Sequence, residues 1–262
     1  MLKNAPPATG QSLNSTPGRD LLDRTEIEVR WLSFDADAPL DPCFLAALDD
    51  EERMQAAKFR FAEDRTTYIA AHALKRAALS SVHPLAAADW RFERSAHGKP
   101  FIPHGHAAAH LCFNLSHTRG FAAVALAHDI KIGIDVERIQ IGKLDQNLAD
   151  RLFASTEADA TRSLPQKAQI EALYAYWTLK EAFIKAVGLG LSLPLDAFAF
   201  TLEPLSISFD ESLQEDAGQW RFYSSQPAPQ ISMALATKCE APSALSVNVQ
   251  CLTMQDLAQA VQ

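Results

Sequence analysis

Three apolar runs of strand length, at 110–115, 121–126 and 130–139, follow one another with only a few residues between them. Connections that short close antiparallel pairs, because a parallel crossover needs a dozen residues or more. Thr118-Arg119-Gly120 has the chemistry of a hairpin turn. Ahead of these runs, from Asp41 to about Ser81, apolar side chains such as Phe59, Tyr68, Ile69 and Leu79 recur at spacings of three and four. That period predicts helices, broken near 61–64 and ended by His83-Pro84. Ile27, Val29 and Trp31 alternate with charged residues, as in a half-buried strand, and a short strand is predicted over 90–94 before the turn Gly98-Lys99-Pro100. Helix returns at about 144–153 and from about 166 to 187, where Gly188, Gly190 and Pro194 stop it. Strands are predicted over 198–201, 220–223, 231–236 and 245–249.

Both halves thus run helices first and antiparallel strands after. The segments 121–127 (FAAVALA) and 231–237 (ISMALAT) are alike, which suggests an internal duplication. The expected fold is α+β, with two pseudo-repeated lobes, each a small mainly antiparallel sheet packed with a long helix. The expected boundaries are a flexible tail at 1–24, an N-terminal lobe at 25–128, a C-terminal lobe at 129–250 and a C-terminal tail at 251–262. A two-lobed chain is expected to bind its ligand in the cleft between lobes. With 262 residues and 48% of them hydrophobic, the chain can bury such cores, which excludes a disordered or collagen-like protein. No apolar run approaches the length of a membrane span, and 1–24 has no signal-peptide core, so a soluble cytoplasmic protein is expected. Cys43, Cys112, Cys239 and Cys251 lie too far apart for a zinc ribbon or a disulfide framework.

The net charge of −8 argues against general nucleic-acid binding. Between Arg53 and Lys99, however, nine Lys and Arg stand against four Asp and Glu, leaving −13 for the rest of the chain. This stretch reads either as a solvated helix face or as a local site for an anion.

Three small constellations carry chemistry. In Ile132-Gly133-Ile134-Asp135-Val136-Glu137 the two acids share one strand face, with Ile134 and Val136 on the opposite, core-directed face. Like charges at that spacing repel, and a hard divalent cation such as Mg²⁺ would reverse the sign; the ordinary reading is a solvated strand face. Gly133 permits close backbone approach. Trp177, Glu181 and Lys185 are spaced by four and share a helix face, which reads as an ordinary i, i+4 ion pair or as a carboxylate and an amine working on a charged ligand. Ser116 and His117 end a strand without the glycine elbow of a hydrolase, and read as turn-capping groups or as phosphate ligands. His104, His106 and His110 lack a fourth zinc ligand at matching spacing.

In this order, these motifs resemble the 4′-phosphopantetheinyl transferases of the surfactin-synthetase-activating type. The resemblance rests on Gly98-Lys99-Pro100, Phe113-Asn114-Leu115-Ser116-His117, the strand from Ile132 to Glu137, and Trp177-Thr178-Leu179-Lys180-Glu181-Ala182-Phe183-Ile184-Lys185. It continues through Gly188-Leu189-Gly190-Leu191-Ser192-Leu193-Pro194 and includes Arg151-Leu152-Phe153 with Glu157. It implies transfer of phosphopantetheine from coenzyme A to a serine of an acyl or peptidyl carrier protein, releasing adenosine 3′,5′-bisphosphate. It further implies Mg²⁺ held by Asp135, Glu137 and Glu181, with Glu181 taking the serine proton and Lys185 stabilising or protonating the departing phosphate. Ser116 and His117 are implied to hold coenzyme A phosphates, with Lys99 and Pro100 beside the adenine. A monomer is expected, because two pseudo-repeated lobes supply both halves of the site.

One departure from the family pattern stands out. Positions where the resemblance implies basic residues for the 3′-phosphate hold Glu52, Gln55 and Thr67 here, so Arg53, Lys58, Arg60 and Arg65 are the candidate substitutes, and spacing does not choose among them. Two other readings are a relative that binds coenzyme A or a carrier without transfer, and another Mg²⁺-dependent enzyme that cleaves a pyrophosphate.

Overall fold

The structure, a computed structural model, describes residues 22–143, 146–190, 193–240 and 244–262. The predicted tail lies outside them as far as residue 21, as do Leu144, Leu191 and Ser192. The chain divides into two compact units: the first runs to Ile130 and resumes at Ala244, and the second is Lys131–Ser243. Among the described residues no helix is long and apolar enough to cross a membrane.

The first unit opens with β1 (Glu26–Ser33), α1 (Pro42–Ala46), α2 (Asp50–Ala57) and α3 (Ala62–Val82). The two-residue strands β2 (Glu93–Arg94) and β3 (Pro100–Phe101) then lead to β4 (Leu111–Thr118) and β5 (Phe121–His128). Asp49 starts α2 with a reciprocal capping box to Glu52, which satisfies backbone donors that the first turn leaves open. Helix α3 carries Glu63 and Asp64 in its first turn, where the helix dipole favours acids, and ends at Val82 before His83-Pro84. The helix break falls over 58–61, slightly ahead of the expected position. The strand expected over 90–94 is only two residues long, because Trp90 is drawn into the core and its indole donates to Ser80 Oγ at 2.9 Å.

Strands β4 and β5 pair as the predicted hairpin, Thr118 opposite Phe121, with Gly120 in the left-handed region at φ 70°. β5 also pairs antiparallel with β1. Leu74, Ala78 and Leu79 of α3 form one core with Phe113, Ala122, Val124 and Leu126 of the sheet.

The second unit contains β6 (Lys131–Arg138), α4 (Gln146–Leu152), α5 (Ser155–Arg162) and α6 (Gln166–Val187). It continues with β7 (Phe198–Leu202), β8 (Leu205–Phe209), β9 (Trp220–Ser225) and β10 (Ile231–Lys238). Its main sheet runs β6-β10-β9, antiparallel throughout, and β7 and β8 form a separate hairpin. Gly188 caps α6 in the left-handed conformation, φ 82°, as the sequence predicts. The two similar segments occupy equivalent places: β5 and β10 are each a central strand, and in each the first seven of eight residues are buried. Each sheet packs against one long helix, α3 in the first unit and α6 in the second.

The C-terminus corrects the expected boundaries. β11 (Ser246–Leu252) and α7 (Met254–Ala260) belong to the first unit, so 244–250 is not part of the second lobe and 251–262 is not a tail. β11 pairs in parallel with β1 from Glu26–Ser246 to Leu32–Leu252, which makes this sheet mixed, in the order β11-β1-β5-β4. Leu252 and Leu257 enter the first core, an anchor a mobile tail could not provide.

Candidate active site

Asp135 and Glu137 sit on the side of β6 that faces α6. The register is set by Gly133: a Cβ at that position would come within 3.0 Å of the Ala182 carbonyl oxygen and the Ala186 nitrogen. The helix backbone therefore rests directly on the strand, an approach that a side-chain-free residue allows. Two residues on, Asp135 is buried at 4% exposure and its Oδ1 accepts from Lys185 Nζ at 2.6 Å. Glu137 follows and accepts a hydrogen bond from Trp177. Ile134 and Val136 are buried as expected, at 0% and 1% exposure, and the opposite side of β6 is not a solvated face. The acids lie on the helix side, Asp135 opposite Ala234 and Glu137 opposite Ser232. Small residues at Gly133, Ala234 and Ala236 make room there for carboxylates beside an apolar helix.

On α6 the spacing of four holds. Trp177, Glu181 and Lys185 form a half-exposed stripe on a helix whose other faces are largely buried. Lys185 reaches across to Asp135 rather than serving only an i, i+4 pair within the helix. Burial pushes the Glu181 carboxyl above the usual carboxylate range; the charge of Asp135 adds to the shift and Lys185 opposes it. Burial and then Asp135 push Glu137 up in the same way, opposed by Lys143, Trp177 and Lys185. Asp135 is thus the charge that both glutamates sense. Among the described residues no three His, Cys, Asp or Glu side chains are gathered tightly enough to enclose a metal ion. The donor set is nevertheless all hard oxygen, and its mutual repulsion is of the kind a divalent cation relieves.

The first-unit candidates are dispersed. Ser116 and His117 are neighbours within β4, so they point to opposite faces: Ser116 is buried and His117 is exposed beside Tyr68 of α3. Lys99 lies in the tight turn between β2 and β3, where its amide donates to Ser95 Oγ at 3.1 Å and its carbonyl accepts from the Ser95 amide at 2.9 Å. Pro100 begins β3. Lys58, Arg60 and Arg65 are all exposed around the α2–α3 junction. A cavity of about 410 Å³ opens at the start of α2, lined by Asp50, Arg53, Arg91 and Phe92 among others; of the four candidate substitutes it is Arg53 that lines it.

The basic stretch is not a single surface. Lys75 and Arg76 are interior, at 2% and 0% exposure, and both serve Glu52: Lys75 Nζ donates to Oε1 at 2.5 Å and Arg76 Nε to Oε2 at 2.7 Å. His72 Nδ1 contacts the same Oε1 at 2.7 Å, and Arg76 also pairs with Asp49. Glu52 is therefore the internal counter-ion of α3.

Sequence reasoning also left Lys180 without a role. Its ammonium is fully buried, pairs with Glu157 Oε2 at 2.8 Å, and donates to the Leu195 and Phe198 carbonyls at 2.6 and 2.7 Å. Glu157 in turn accepts from the Phe200 and Ala154 amides. This cluster ties α5, α6 and the start of β7 together beside Glu181. Lys180 lies at spacings of three and four from Tyr176, Phe183 and Ile184, so it shares an apolar helix face with them, which was the available signal.

Residues 131–236 match the 4′-phosphopantetheinyl transferase superfamily, and residues 41–129 match the family described as 4′-phosphopantetheinyl transferase, N-terminal. The chain is 32% identical over 159 residues to the 4′-phosphopantetheinyl transferase HetI of Nostoc sp., covering 61% of this chain and 67% of that protein. It is 35% identical to a 4′-phosphopantetheinyl transferase of Bacillus subtilis, covering 61% and 68%. It is 28% identical to the L-aminoadipate-semialdehyde dehydrogenase-phosphopantetheinyl transferase of Xenopus laevis, covering 63% and 57%. With the relatives from Nostoc and Bacillus matched above 30% identity over two thirds of their length, the chain belongs to the 4′-phosphopantetheinyl transferases.

Proposed function

We propose that the protein transfers 4′-phosphopantetheine from coenzyme A to a serine hydroxyl of an acyl or peptidyl carrier protein, in a Mg²⁺-dependent reaction that leaves adenosine 3′,5′-bisphosphate. The observation that carries this reading is the Asp135–Lys185 contact at 2.6 Å, with Glu137 and Glu181 both under the influence of Asp135.

Each residue then has a physical task. Asp135 holds Lys185 in place, so its ammonium is pre-positioned to meet negative charge developing on a departing phosphate. Glu181 is offered as the acceptor of the serine proton, directly or through water, a role that competes with metal ligation because a carboxylate bound to a cation is a weak base. Asp135, Glu137 and Glu181 would hold Mg²⁺, completed by phosphate oxygens and water, since this ion takes hard oxygen ligands. The bound ion supplies charge neutralisation at the pyrophosphate. Ser116, His117, Lys99 and Pro100, with Lys58, Arg60 and Arg65, are the residues offered for coenzyme A. The reading takes the protein as a cytoplasmic monomer.

The test is a mass measurement on a panel of apo carrier proteins incubated with coenzyme A, Mg²⁺ and the enzyme. A gain of one phosphopantetheine on at least one carrier is expected. Unchanged masses across the panel, with coenzyme A still bound, would instead make the chain a binding relative.

A further inference from the structure

In the first unit a chain of contacts leads from the buried ion cluster to the exposed imidazole of His117. Glu52 is fixed by Lys75 and Arg76, and it holds His72 through Nδ1 at 2.7 Å. The His72 ring lies nearly flat on Tyr68, with centroids 4.0 Å apart and planes at 27°. Tyr68, buried at 7% exposure, is braced on another side by Phe59 at 5.3 Å. It then meets the His117 ring at 86°, with centroids 6.4 Å apart. That edge-on geometry is a favourable aromatic arrangement and fixes ring orientation as well as distance. Of these rings only His117 is exposed, so the rigid part of the chain is internal and the presented part is a single imidazole.

We infer that Tyr68, clamped by His72 and Glu52, is a positioning residue that orients the His117 imidazole toward a phosphate-bearing ligand. The inference rests on the reading of His117 as a coenzyme A ligand. It adds a group that touches neither ligand nor reacting atoms but sets the geometry of one that does. Pre-orientation lowers the ordering cost of binding, so the effect belongs in coenzyme A affinity and not in the chemical step.

The experiment is a double-mutant cycle on the full-length chain, with calorimetric titration of coenzyme A and transfer kinetics on an apo carrier. Tyr68→Leu is expected to raise the coenzyme A KM and Kd about three- to tenfold with kcat nearly unchanged. Tyr68→Phe, which keeps the ring edge, is expected to behave as the parent. In a His117→Ala background, Tyr68→Leu is expected to add nothing. An equal loss in both backgrounds would overturn the inference, since Tyr68 would then act independently of His117. Unchanged coenzyme A affinity in His117→Ala alone would overturn the ligand reading beneath it. If Tyr68→Leu does not fold, the parent protein decides by NMR. Ring-to-ring cross-peaks between Tyr68 and His117 are expected, and they should persist when coenzyme A is added. Their absence, or a reorientation of the His117 ring on coenzyme A addition, would refute pre-orientation.

Discussion

Gly133 lies directly beneath the Ala182 carbonyl, and this contact fixes where Asp135 meets Lys185. Any side chain at 133 must push α6 off the strand, because the atoms it meets are helix backbone and cannot rotate away. Gly133→Ala is expected to cost about 1–3 kcal/mol of stability, as overpacking does. It should also reduce phosphopantetheine transfer at least tenfold in the fraction that remains folded, by shifting Lys185 away from Asp135. Urea denaturation and single-turnover kinetics on the same sample check both halves of the prediction. Parent-like activity would mean that the helix–strand register does not control the chemistry.

Asp135→Asn keeps the shape of the side chain and removes the charge that both glutamates sense. Transfer should fall by two orders of magnitude or more, as when a group that stabilises developing charge is lost. The far-ultraviolet circular dichroism should not change. Lys185→Ala is expected to lower kcat more than it weakens coenzyme A binding. Equal losses would make Lys185 a binding group.

The architecture was legible where the chain is locally consistent. Gly188 ends α6, Thr118-Arg119-Gly120 turns β4 into β5, and the likeness of 121–127 to 231–237 marks two central strands. The parallel pairing of β11 with β1 was not legible, because Ser246 and Thr25 are 221 residues apart and neither segment carries a signal for the other. On the site, spacing alone placed Glu181 and Lys185 on one face and Asp135 with Glu137 on another. Ile134 and Val136 are buried as their sequence suggests. Which face of β6 meets the helix was not legible, because it is the small side chains at Gly133, Ala234 and Ala236, on strands far apart in sequence, that decide where α6 packs. Charge counting likewise could not separate interior Lys75 and Arg76 from exposed Lys58 and Arg60, because their counter-ion, Glu52, lies more than twenty residues earlier on another helix.

The Glu157–Lys180 pair has no solvent to compensate either charge when its partner is removed. Burial pushes the Glu157 carboxyl up and the Lys180 amine down, and each is opposed by the other. Lys180→Met alone should destabilise the protein by about 3–5 kcal/mol, because Glu157 is left as an uncompensated buried acid. Lys180→Met with Glu157→Leu should recover part of that loss. Chemical denaturation of both variants tests the prediction. A double variant less stable than the single one by a further equal step would mean that the two residues do not act as a pair.

His72 should make the first unit acid-sensitive. Burial pushes its imidazole down to about 4 from 6.5, with Lys75 adding to the shift and Glu52 opposing it. Because the folded value lies below the unfolded one, the unfolded chain takes up the proton first as pH falls. The contribution to stability is therefore complete above about 6.5 and is lost progressively toward 4, by at most about tenfold in the folding equilibrium per pH unit. Glu52, also held below the usual carboxylate range, extends the loss to lower pH in the same sense. His72→Phe keeps a ring on Tyr68 and should flatten the dependence of the urea midpoint on pH between 6.5 and 4.5. An unchanged slope in that variant would assign the acid sensitivity to another group.

Once Lys75 and Arg76 are assigned to the interior, Lys58, Arg60 and Arg65 are exposed members of the basic stretch that lie together around the α2–α3 junction. Exposed charges act on a polyanion through a screened field, whose range is about 10 Å at 0.1 M salt and about 3 Å at 1 M. Charge reversal, Lys58→Glu with Arg60→Glu, is therefore expected to weaken coenzyme A binding several-fold at low ionic strength and by a much smaller factor at 1 M salt. Arg65→Glu should act in the same direction. Stability should be nearly unaffected, since substitutions at exposed sites seldom move it by more than about 0.5 kcal/mol. Titration of coenzyme A at two salt concentrations separates the outcomes. A loss of equal size at both would mean direct, desolvated contacts to phosphate, and no loss at either would return these residues to a solvated helix surface.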